Sequence, residues 1–370
     1  MTMTLHTRSQ DDPSITKIGI NGFGRIGRSA LRVALAREDV RVVAINHTAP
    51  TAEALLHALR YDSTHGRNPH FDRLSIGVDS KGSEFLWVDD EKILLSSERD
   101  PSKLQWDLCG AEYILECTGK LTTKEAAYVH IAVGKAKKVI ISAPSKDAKT
   151  FVYGVNHLDY QSDSMDVVSN ASCTTNCLAP IAKVLDRAYG IQAGMLTTVH
   201  ASTASQHLLD GFSKKNLRLG RSAANNIIPT STGAANAVKL VLPQLEGKFT
   251  VLNSFSEQSI GMSVRVPVSN VSMIDLTVTF DRPCASLDTL LDSLRAGAKE
   301  EELRGVLHVC DTELVSSDFL GRTETAIVDS HACFLLNDKM AKVVAWYDNE
   351  TAYSSKALDL AKYMHSVDSA

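Results

Sequence analysis

Short runs of β-branched and other apolar residues alternate with helical spacing through the first half of the chain. Residues 15–20 form an apolar run that ends at Asn21 and Gly22. Residues 25–36 place Ile26, Leu31, Val33, Ala34 and Leu35 on one helical side, and 40–45 form a second β-branched run. Strand, helix and strand within about 30 residues predict a βαβ unit and so a parallel sheet. Further strands are predicted at 113–117 and 138–142, with a helix over 124–137 between them. To about Asn170 the chain therefore reads as an alternating α/β domain. A helix follows from Cys173 to about Tyr189. Beyond it, 193–200, 261–268 and 272–280 have extended patterning, 287–301 is helical in composition, 342–347 is a late strand and 356–364 a closing helix. This half mixes its elements less regularly and reads as α+β.

Composition narrows the class. Of 370 residues, 44% are hydrophobic and 22% charged, which excludes disorder, collagen and coiled coil. No apolar run reaches the roughly 18 residues of a membrane span, so no membrane partner is expected. Formal net charge is -4 with no dominant basic block, so nucleic acid is not expected as the main partner. Seven cysteines, an odd number, suit a reducing compartment better than a disulfide scaffold. Residues 1–14 lack an apolar core for a secretory signal and read as a flexible polar tail. A cytoplasmic location is the expectation.

Candidate chemistry starts at Asn21-Gly22-Phe-Gly24-Arg-Ile-Gly27. A G-x-G-x-x-G that follows a strand and opens a helix has the context of a dinucleotide loop rather than of a plain glycine-rich turn. Gly22 would make the tight turn, Gly24 would admit the pyrophosphate and Gly27 would let helix and strand approach. The helix N-terminus would present N–H groups to the phosphates. The acidic residue expected about 20 positions on, for the ribose diol, is missing; Asn46 and His47 stand there. NAD is the expected cofactor, and His47 leaves NADP open.

Ser169-Asn-Ala-Ser-Cys173-Thr-Thr-Asn-Cys177 precedes the long apolar helix. Cys173 at a helix N-terminus would have its thiolate favoured by the dipole, with Ser172 as N-cap. Cys109, Cys117, Cys284, Cys310 and Cys333 lie in stretches without polar activators and read as small buried hydrophobes. Cys173 and Cys177 could form a redox pair; no second cluster completes a metal site, and none is expected. A thiolate needs a base. His200 ends an apolar strand and is followed by a polar run, which suits acid–base work as well as it suits a structural role.

The chain resembles the phosphorylating glyceraldehyde-3-phosphate dehydrogenases. The matching segments are Asn21-Gly-Phe-Gly-Arg-Ile-Gly-Arg28, Tyr61-Asp-Ser-Thr-His-Gly66, Glu98-Arg-Asp-Pro101, residues 169–180, Thr197-Thr-Val-His200, Asn226-Ile-Ile-Pro229, Ser231-Thr-Gly-Ala-Ala235 and Trp346-Tyr-Asp-Asn-Glu-Thr351. The resemblance implies a Rossmann NAD-binding domain over 15–171, an α+β catalytic domain over 172–340, and a strand and helix over 341–370 that return to the first domain. It implies oxidation of D-glyceraldehyde 3-phosphate with NAD and inorganic phosphate to 1,3-bisphosphoglycerate, in glycolysis or gluconeogenesis. Cys173 would form a hemithioacetal and then a thioester, with His200 as base. By motif match Thr203 and Arg265 bind the substrate phosphate. Ser172, Thr174, Thr232, Gly233 and Arg218 bind the attacking phosphate. Arg25, Ile26, Thr118, Ser142 and Asn349 contact the cofactor, with Asn349 orienting the nicotinamide amide. A homotetramer is implied, with a loop near 210–221 at subunit contacts.

Several positions depart from the family pattern. His47 replaces the ribose-binding Asp, and Ser202 stands where an aromatic commonly follows the histidine. His207 and Phe212 replace a basic residue and a proline, and residues 251–260 form an insertion read as an exposed lobe. These departures suggest a specialised isozyme. The alternatives are an erythrose-4-phosphate dehydrogenase and a non-catalytic moonlighting paralogue. Thr203 in its Thr-Ala-Ser-Gln context favours the triose phosphate.

Overall fold

A computed structural model describes residues 12–213, 216–249 and 261–370, so the insertion over 251–260 lies outside the described residues. The β-branched runs of the first half assemble one nine-stranded sheet. Its strands in chain order are β1 (Thr16–Asn21), β2 (Val40–Asn46), β3 (Leu74–Val78), β4 (Glu84–Val88), β5 (Glu91–Ser96), β6 (Tyr113–Glu116), β7 (Lys138–Ile141), β8 (Lys149–Thr150) and β9 (Val167–Ser169). Their spatial order is β3-β4-β5-β2-β1-β6-β7-β9-β8. The centre is parallel, and β3, β4 and β5 form an antiparallel meander at one edge. Strand β1 lies between β2 and β6. The chain thus turns to opposite sides of β1, which opens a crevice at the carboxyl ends of β1 and β6, where α/β sheets bind ligands.

Helices α1 (Arg25–Ala34) and α2 (Ala52–Arg60) flank this sheet. The single helix expected over 124–137 is instead two short pieces, α3 (Lys124–Ala127) and α4 (Val129–Ala132). An i→i+3 bond from Ile131 N–H to the Tyr128 carbonyl tightens the junction. The piece ends where Gly134 packs on Trp106 and Lys135 takes a positive φ.

Helix α5 (Cys173–Tyr189) begins and ends where the pattern places it, and it is buried without a break from Thr174 to Ala182. It backs a second sheet of β10 (Ile191–His200), β11 (Ile228–Thr232), β12 (Gly261–Arg265), β13 (Ser272–Phe280), β14 (Leu307–Cys310), β15 (Ala326–Asp329), β16 (Phe334–Asn337) and β17 (Met340–Tyr347). The order is β11-β12-β10-β13-β17-β15-β14, with β16 beside β17. Strand β12 stops at Arg265 rather than Val268, because Pro267 has no N–H to continue the ladder. Helices α6 (Ala234–Val241) and α7 (Leu287–Lys299) join α5 over one apolar core. Helix α8 (Thr351–Asp368) is longer than its apolar pattern, because Asp348 Oδ1 accepts from the Glu350 and Thr351 N–H groups and starts it earlier. It packs on α1 within the core of the first sheet through Leu358, Leu360, Ala361 and Met364. His365 Nε2 holds the Pro13 carbonyl at 2.8 Å, so the described end of the predicted tail is tied down.

Three of the matched segments meet at one cation. Arg25 Nε and Nη2 donate to the two oxygens of Glu350 at 2.8 and 2.5 Å, and Nη1 pairs with Asp62. Asp62 Oδ1 also accepts from the Thr64 and His65 N–H groups, and His65 Nε2 faces Glu350 at 2.8 Å. The side chains of Asp62 and Glu350 are only 7% and 9% exposed. Burial opposes the charge on both carboxyls, yet the Arg25 guanidinium holds Asp62, and His65 together with Arg25 holds Glu350, below the usual carboxylate range. Arg25→Ala leaves two buried carboxylates without their cation and should cost about 3–5 kcal/mol. A depressed pKa stabilises the fold above the ordinary carboxylate value and loses that stabilisation as pH falls through the folded value. Thermal melts from pH 7 down to about pH 1.5, which spans the window below the ordinary carboxylate value, should therefore show a steep acid limb for the wild type and a shallower one for Arg25→Ala. Equal limbs would remove this ion cluster from the stability of the fold.

Candidate active site

The nucleophile loop is fixed before the helix starts. Ser172 Oγ accepts the Thr175 N–H at 3.0 Å and caps α5 as its composition predicts. Asn176 Nδ2 donates back to the Asn170 and Ser172 carbonyls at 2.8 and 3.0 Å, and Tyr353 of α8 donates to the Ala171 carbonyl at 3.0 Å. Cys173 thus stands at the first position of a 17-residue helix, with Sγ 3.5 Å from His200 Nε2. The expectation of a favoured thiolate needs correction for the burial of the sulfur. Burial is the largest influence and pushes the Cys173 thiol up, while Arg265 opposes it. Cys177 is fully buried, and its thiol is pushed well up, also by burial. Burial raises the Cys117 thiol to about 12 and the Cys333 thiol to about 11.

His200 and Arg265 are register partners on the parallel pair β10 and β12. Arg265 Nη1 lies 2.5 Å from His200 Nδ1 and 3.2 Å from the Ala201 carbonyl. That carbonyl is itself 2.7 Å from Nδ1. A guanidinium only donates, so with Arg265 in this place Nδ1 accepts and the ring hydrogen sits on Nε2. Burial, aided by the Arg265 charge, pushes His200 down to about 4, so the ring is neutral at pH 7.

The other phosphate candidates surround this pair at different depths. Thr174 Oγ1 is 2.9 Å from the Tyr347 hydroxyl. Thr203 has its N–H on Gln206 Oε1 at 3.0 Å and its hydroxyl 3.1 Å from Ser205. Thr232 Oγ1 accepts the Ala234 N–H, and Gly233 is the N-cap of α6, which packs on α5. Both lie at the opposite end of β12 from Arg265, since Thr232 pairs with Gly261. Arg218 sits in a 3-10 turn over Leu217–Gly220 beside β11. No hydrogen bond joins Thr203, Arg218, Thr232 or Gly233 to Cys173 or His200 among the described residues. Ser202 is anchored by the Val268 and Val266 carbonyls, and a surface cavity of about 360 Å³ opens beside it, lined by Thr203, Gln206, Leu208, Ala223 and Pro267.

The dinucleotide loop fits a phosphate-bearing cofactor. Gly22 has φ +96°, and a Cβ there would meet the Thr118 nitrogen at 2.8 Å. A Cβ on Gly27 would meet the Gly22 carbonyl at 2.2 Å, while Gly24 faces open space. Helix α1 has no side-chain cap, so its first N–H groups, including those of Arg25 and Ile26, remain for a ligand. The Arg25 guanidinium is taken by Asp62 and Glu350, so the contact it can offer is its backbone amide. Asn21 is held between Glu116 and Asn46 at 2.5 and 2.8 Å. Thr118 caps Glu116 through N–H and hydroxyl, and Ser142 Oγ donates to the Glu116 carbonyl. His47 is 3% exposed; its Nδ1 accepts the Ala49 N–H at 3.1 Å, and its Nε2 is buried with no partner among the described residues. An orphaned donor at the end of β2 suits an acceptor oxygen on a ribose or a 2′-phosphate. Asn349 is nearly buried, with Oδ1 accepting from Ser272 Oγ at 2.8 Å.

Sequence reasoning missed Asp62, Glu350, Tyr353 and Ser272 as parts of the site. The first two lay inside matched segments without an assigned role. Ser272 had no local signal. Among the described residues no group of three or more His, Cys, Asp or Glu is arranged for a metal ion, and no helix is long and apolar enough to cross a membrane.

Residues 16–124 match the family described as glyceraldehyde 3-phosphate dehydrogenase, NAD binding domain, and residues 172–349 match its C-terminal domain. The chain is 47% identical over 354 residues to a cytosolic glyceraldehyde-3-phosphate dehydrogenase of Oryza sativa, covering 95% of this chain and 98% of that one. It is 46% identical over 350 residues to the enzyme of Ogataea parapolymorpha, covering 95% and 98%. It is 48% identical over 352 residues to a chloroplastic enzyme of Arabidopsis thaliana, covering 95% and 79%. With both family domains matched in order and near-full-length identity close to one half, the chain belongs to the glyceraldehyde-3-phosphate dehydrogenase family.

Proposed function

We propose that this protein oxidises D-glyceraldehyde 3-phosphate with NAD and inorganic phosphate to 1,3-bisphosphoglycerate, through a thioester on Cys173. The observation that carries the reading is the Cys173 sulfur 3.5 Å from His200 Nε2 at the N-terminus of α5, with Arg265 on the other side of the ring. Cys173 attacks the aldehyde carbon, and the aldehyde oxygen becomes the hydroxyl of a hemithioacetal. His200 Nε2 then takes the hydroxyl proton as the carbon loses hydride. NAD, when bound, supplies the hydride acceptor. Inorganic phosphate attacks the resulting thioester, the C–S bond breaks, and the acyl phosphate leaves Cys173 as thiolate.

The geometry adds a condition on the base. For Nε2 to accept a proton, the ring hydrogen must move to Nδ1 and donate to the Ala201 carbonyl, already 2.7 Å away. Arg265 must then leave Nδ1, and a substrate phosphate is the natural partner for its charge. Thr203 is read as its companion, and Ser172, Thr174, Arg218, Thr232 and Gly233 as donors to the attacking phosphate. Asn21, Gly22, Gly24, Arg25, Ile26, Gly27, Thr118, Ser142 and Asn349 are read as the cofactor contacts.

We read the assembly as a homotetramer, because Leu208, Leu209, Phe212 and Leu217 expose a cluster of apolar side chains that a second copy would cover. Light scattering at the mass of four chains tests it. A cytoplasmic location is the reading that the cytosolic relatives favour, and imaging of a tagged chain checks it.

NADH formation should be faster on D-glyceraldehyde 3-phosphate than on erythrose 4-phosphate and should need phosphate for multiple turnovers. Cys173→Ser should nearly abolish it while NAD still binds. Substantial oxidation by that variant would sink the assignment. Arg265→Ala should lower kcat/KM for the phosphorylated aldehyde by roughly ten- to a hundredfold, the range of a charge-assisted contact, and unphosphorylated glyceraldehyde much less. Because Arg265 also favours the thiolate, the alkylation of Cys173 should move its inflection to higher pH in that variant. Equal losses on both substrates would make Arg265 structural. His47→Asp replaces a donor by a carboxylate that repels a 2′-phosphate, so the preference for NAD over NADP should rise at least about tenfold. An unchanged ratio of the two kcat/KM values would place His47 outside the ribose site.

A further inference from the structure

Ser272 is the first residue of β13 and only 1% exposed. Its register partner is Tyr347, two positions before Asn349. Ser272 Oγ accepts the backbone N–H of Ala201 at 3.0 Å and donates to Asn349 Oδ1 at 2.8 Å. A hydroxyl carries one hydrogen. The Ala201 N–H takes one lone pair of Oγ, and the 2.8 Å bond from its hydrogen to Asn349 places the amide oxygen toward Ser272. The other amide atom, Nδ2, then points away as a donor, and it has no partner among the described residues. Such a donor matches the carbonyl oxygen of a nicotinamide carboxamide.

The other end of the link is the catalytic base. Ala201 gives its N–H to Ser272 and turns its carbonyl to His200 Nδ1 at 2.7 Å. One buried hydroxyl therefore joins the peptide that holds the base to the amide that would orient the cofactor ring. Without it the Asn349 amide loses the bond that tells its two ends apart, and the Ala201 N–H is left buried without an acceptor.

We propose that Ser272 is a positioning residue that fixes the orientation of the Asn349 amide and holds it in register with His200. This rests on the function proposed above. It concerns how the nicotinamide is presented, which is a property of binding and stereochemistry as much as of rate.

The test compares NAD with ADP-ribose, which lacks the nicotinamide. In Ser272→Ala the Kd for NAD should rise about five- to tenfold, the loss expected for one hydrogen bond, while the Kd for ADP-ribose stays within about twofold. Deuterium from C1-deuterated aldehyde should enter one face of the NADH ring in the wild type and both faces in the variant. Ser272→Thr, which restores the hydroxyl, should restore one face. In an Asn349→Ala background Ser272→Ala should add no further loss of NAD affinity. Equal weakening of NAD and ADP-ribose, or unchanged NAD affinity with deuterium confined to one face, would overturn the proposal. Should Ser272→Ala lose ADP-ribose binding through misfolding, Ser272→Cys keeps the volume with a weaker donor; a selective loss of NAD affinity in it supports the proposal, and equal loss of both ligands overturns it. A wild-type chain that forms no NADH from the aldehyde would refute the functional reading, while the NAD and ADP-ribose affinities would still decide Ser272.

Discussion

The guanidinium of Arg25 is shared between Asp62 and Glu350, two carboxylates that are 288 residues apart in sequence and nearly buried in the fold (350 minus 62). Carboxylates in such places stay ionised only beside a cation. Arg25 follows Gly24 of the dinucleotide loop, and Glu350 follows Asn349, so the ion cluster fixes the separation between the phosphate cradle and the amide assigned to the nicotinamide. His65 completes it on the Glu350 side. The cost is that Arg25 has no free fork for a pyrophosphate. The uncapped N–H groups of α1 are left to receive that anion, which the macrodipole also favours.

The reacting centre depends on a different constraint, the position of β10. This strand lies between β12 and β13, and its last residue is His200. The β12 neighbour supplies Arg265 at the same level, the β13 neighbour supplies Ser272, and the N-terminus of α5 supplies Cys173 against the ring. Shifting β10 by one residue would turn His200 to the other face and break all three relations at once. Register, rather than any one strong bond, therefore keeps the His200 ring between Cys173 and its two polar neighbours.

These arrangements were legible in the sequence to different depths. The first βαβ unit, the start of α5 at Cys173 and the span of β13 follow from periodicity and capping, which are local signals. The antiparallel β3–β5 edge was not read, because short strands with exposed faces alternate weakly. The break at Tyr128 carries an i→i+3 bond from Ile131, and the second piece ends where Gly134 packs on Trp106, a tertiary contact that no helical pattern reports. His200 could be placed at a strand end from its sequence, but its distance to Cys173 depends on how α5 crosses the second sheet. The thiolate expectation took account of the helix dipole and not of the burial that the same close packing imposes on the sulfur. Asp62, Glu350 and Ser272 act through partners between 37 and 325 residues away, beyond the reach of a helical or strand window on the chain.

The departures from the family pattern that fall on described residues sit around the reacting centre and not within it. His47 places a donor at the end of β2, and its Nε2 has no hydrogen-bond partner among the described residues. Ser202 is held by two carbonyls of the segment after β12, so it belongs to the frame, yet its small side chain leaves the cavity beside Thr203 open. Phe212 presents its whole ring to solvent within the apolar cluster read as a subunit contact. Among the described residues neither these three nor His207 makes a hydrogen bond to Cys173, His200 or Arg265. Changes at these positions leave the spacing of Cys173, His200 and the Ala201 carbonyl as it is. Selection for a different cofactor balance, inhibitor or assembly could thus act on the rim of this site at little expense to the chemistry at its centre.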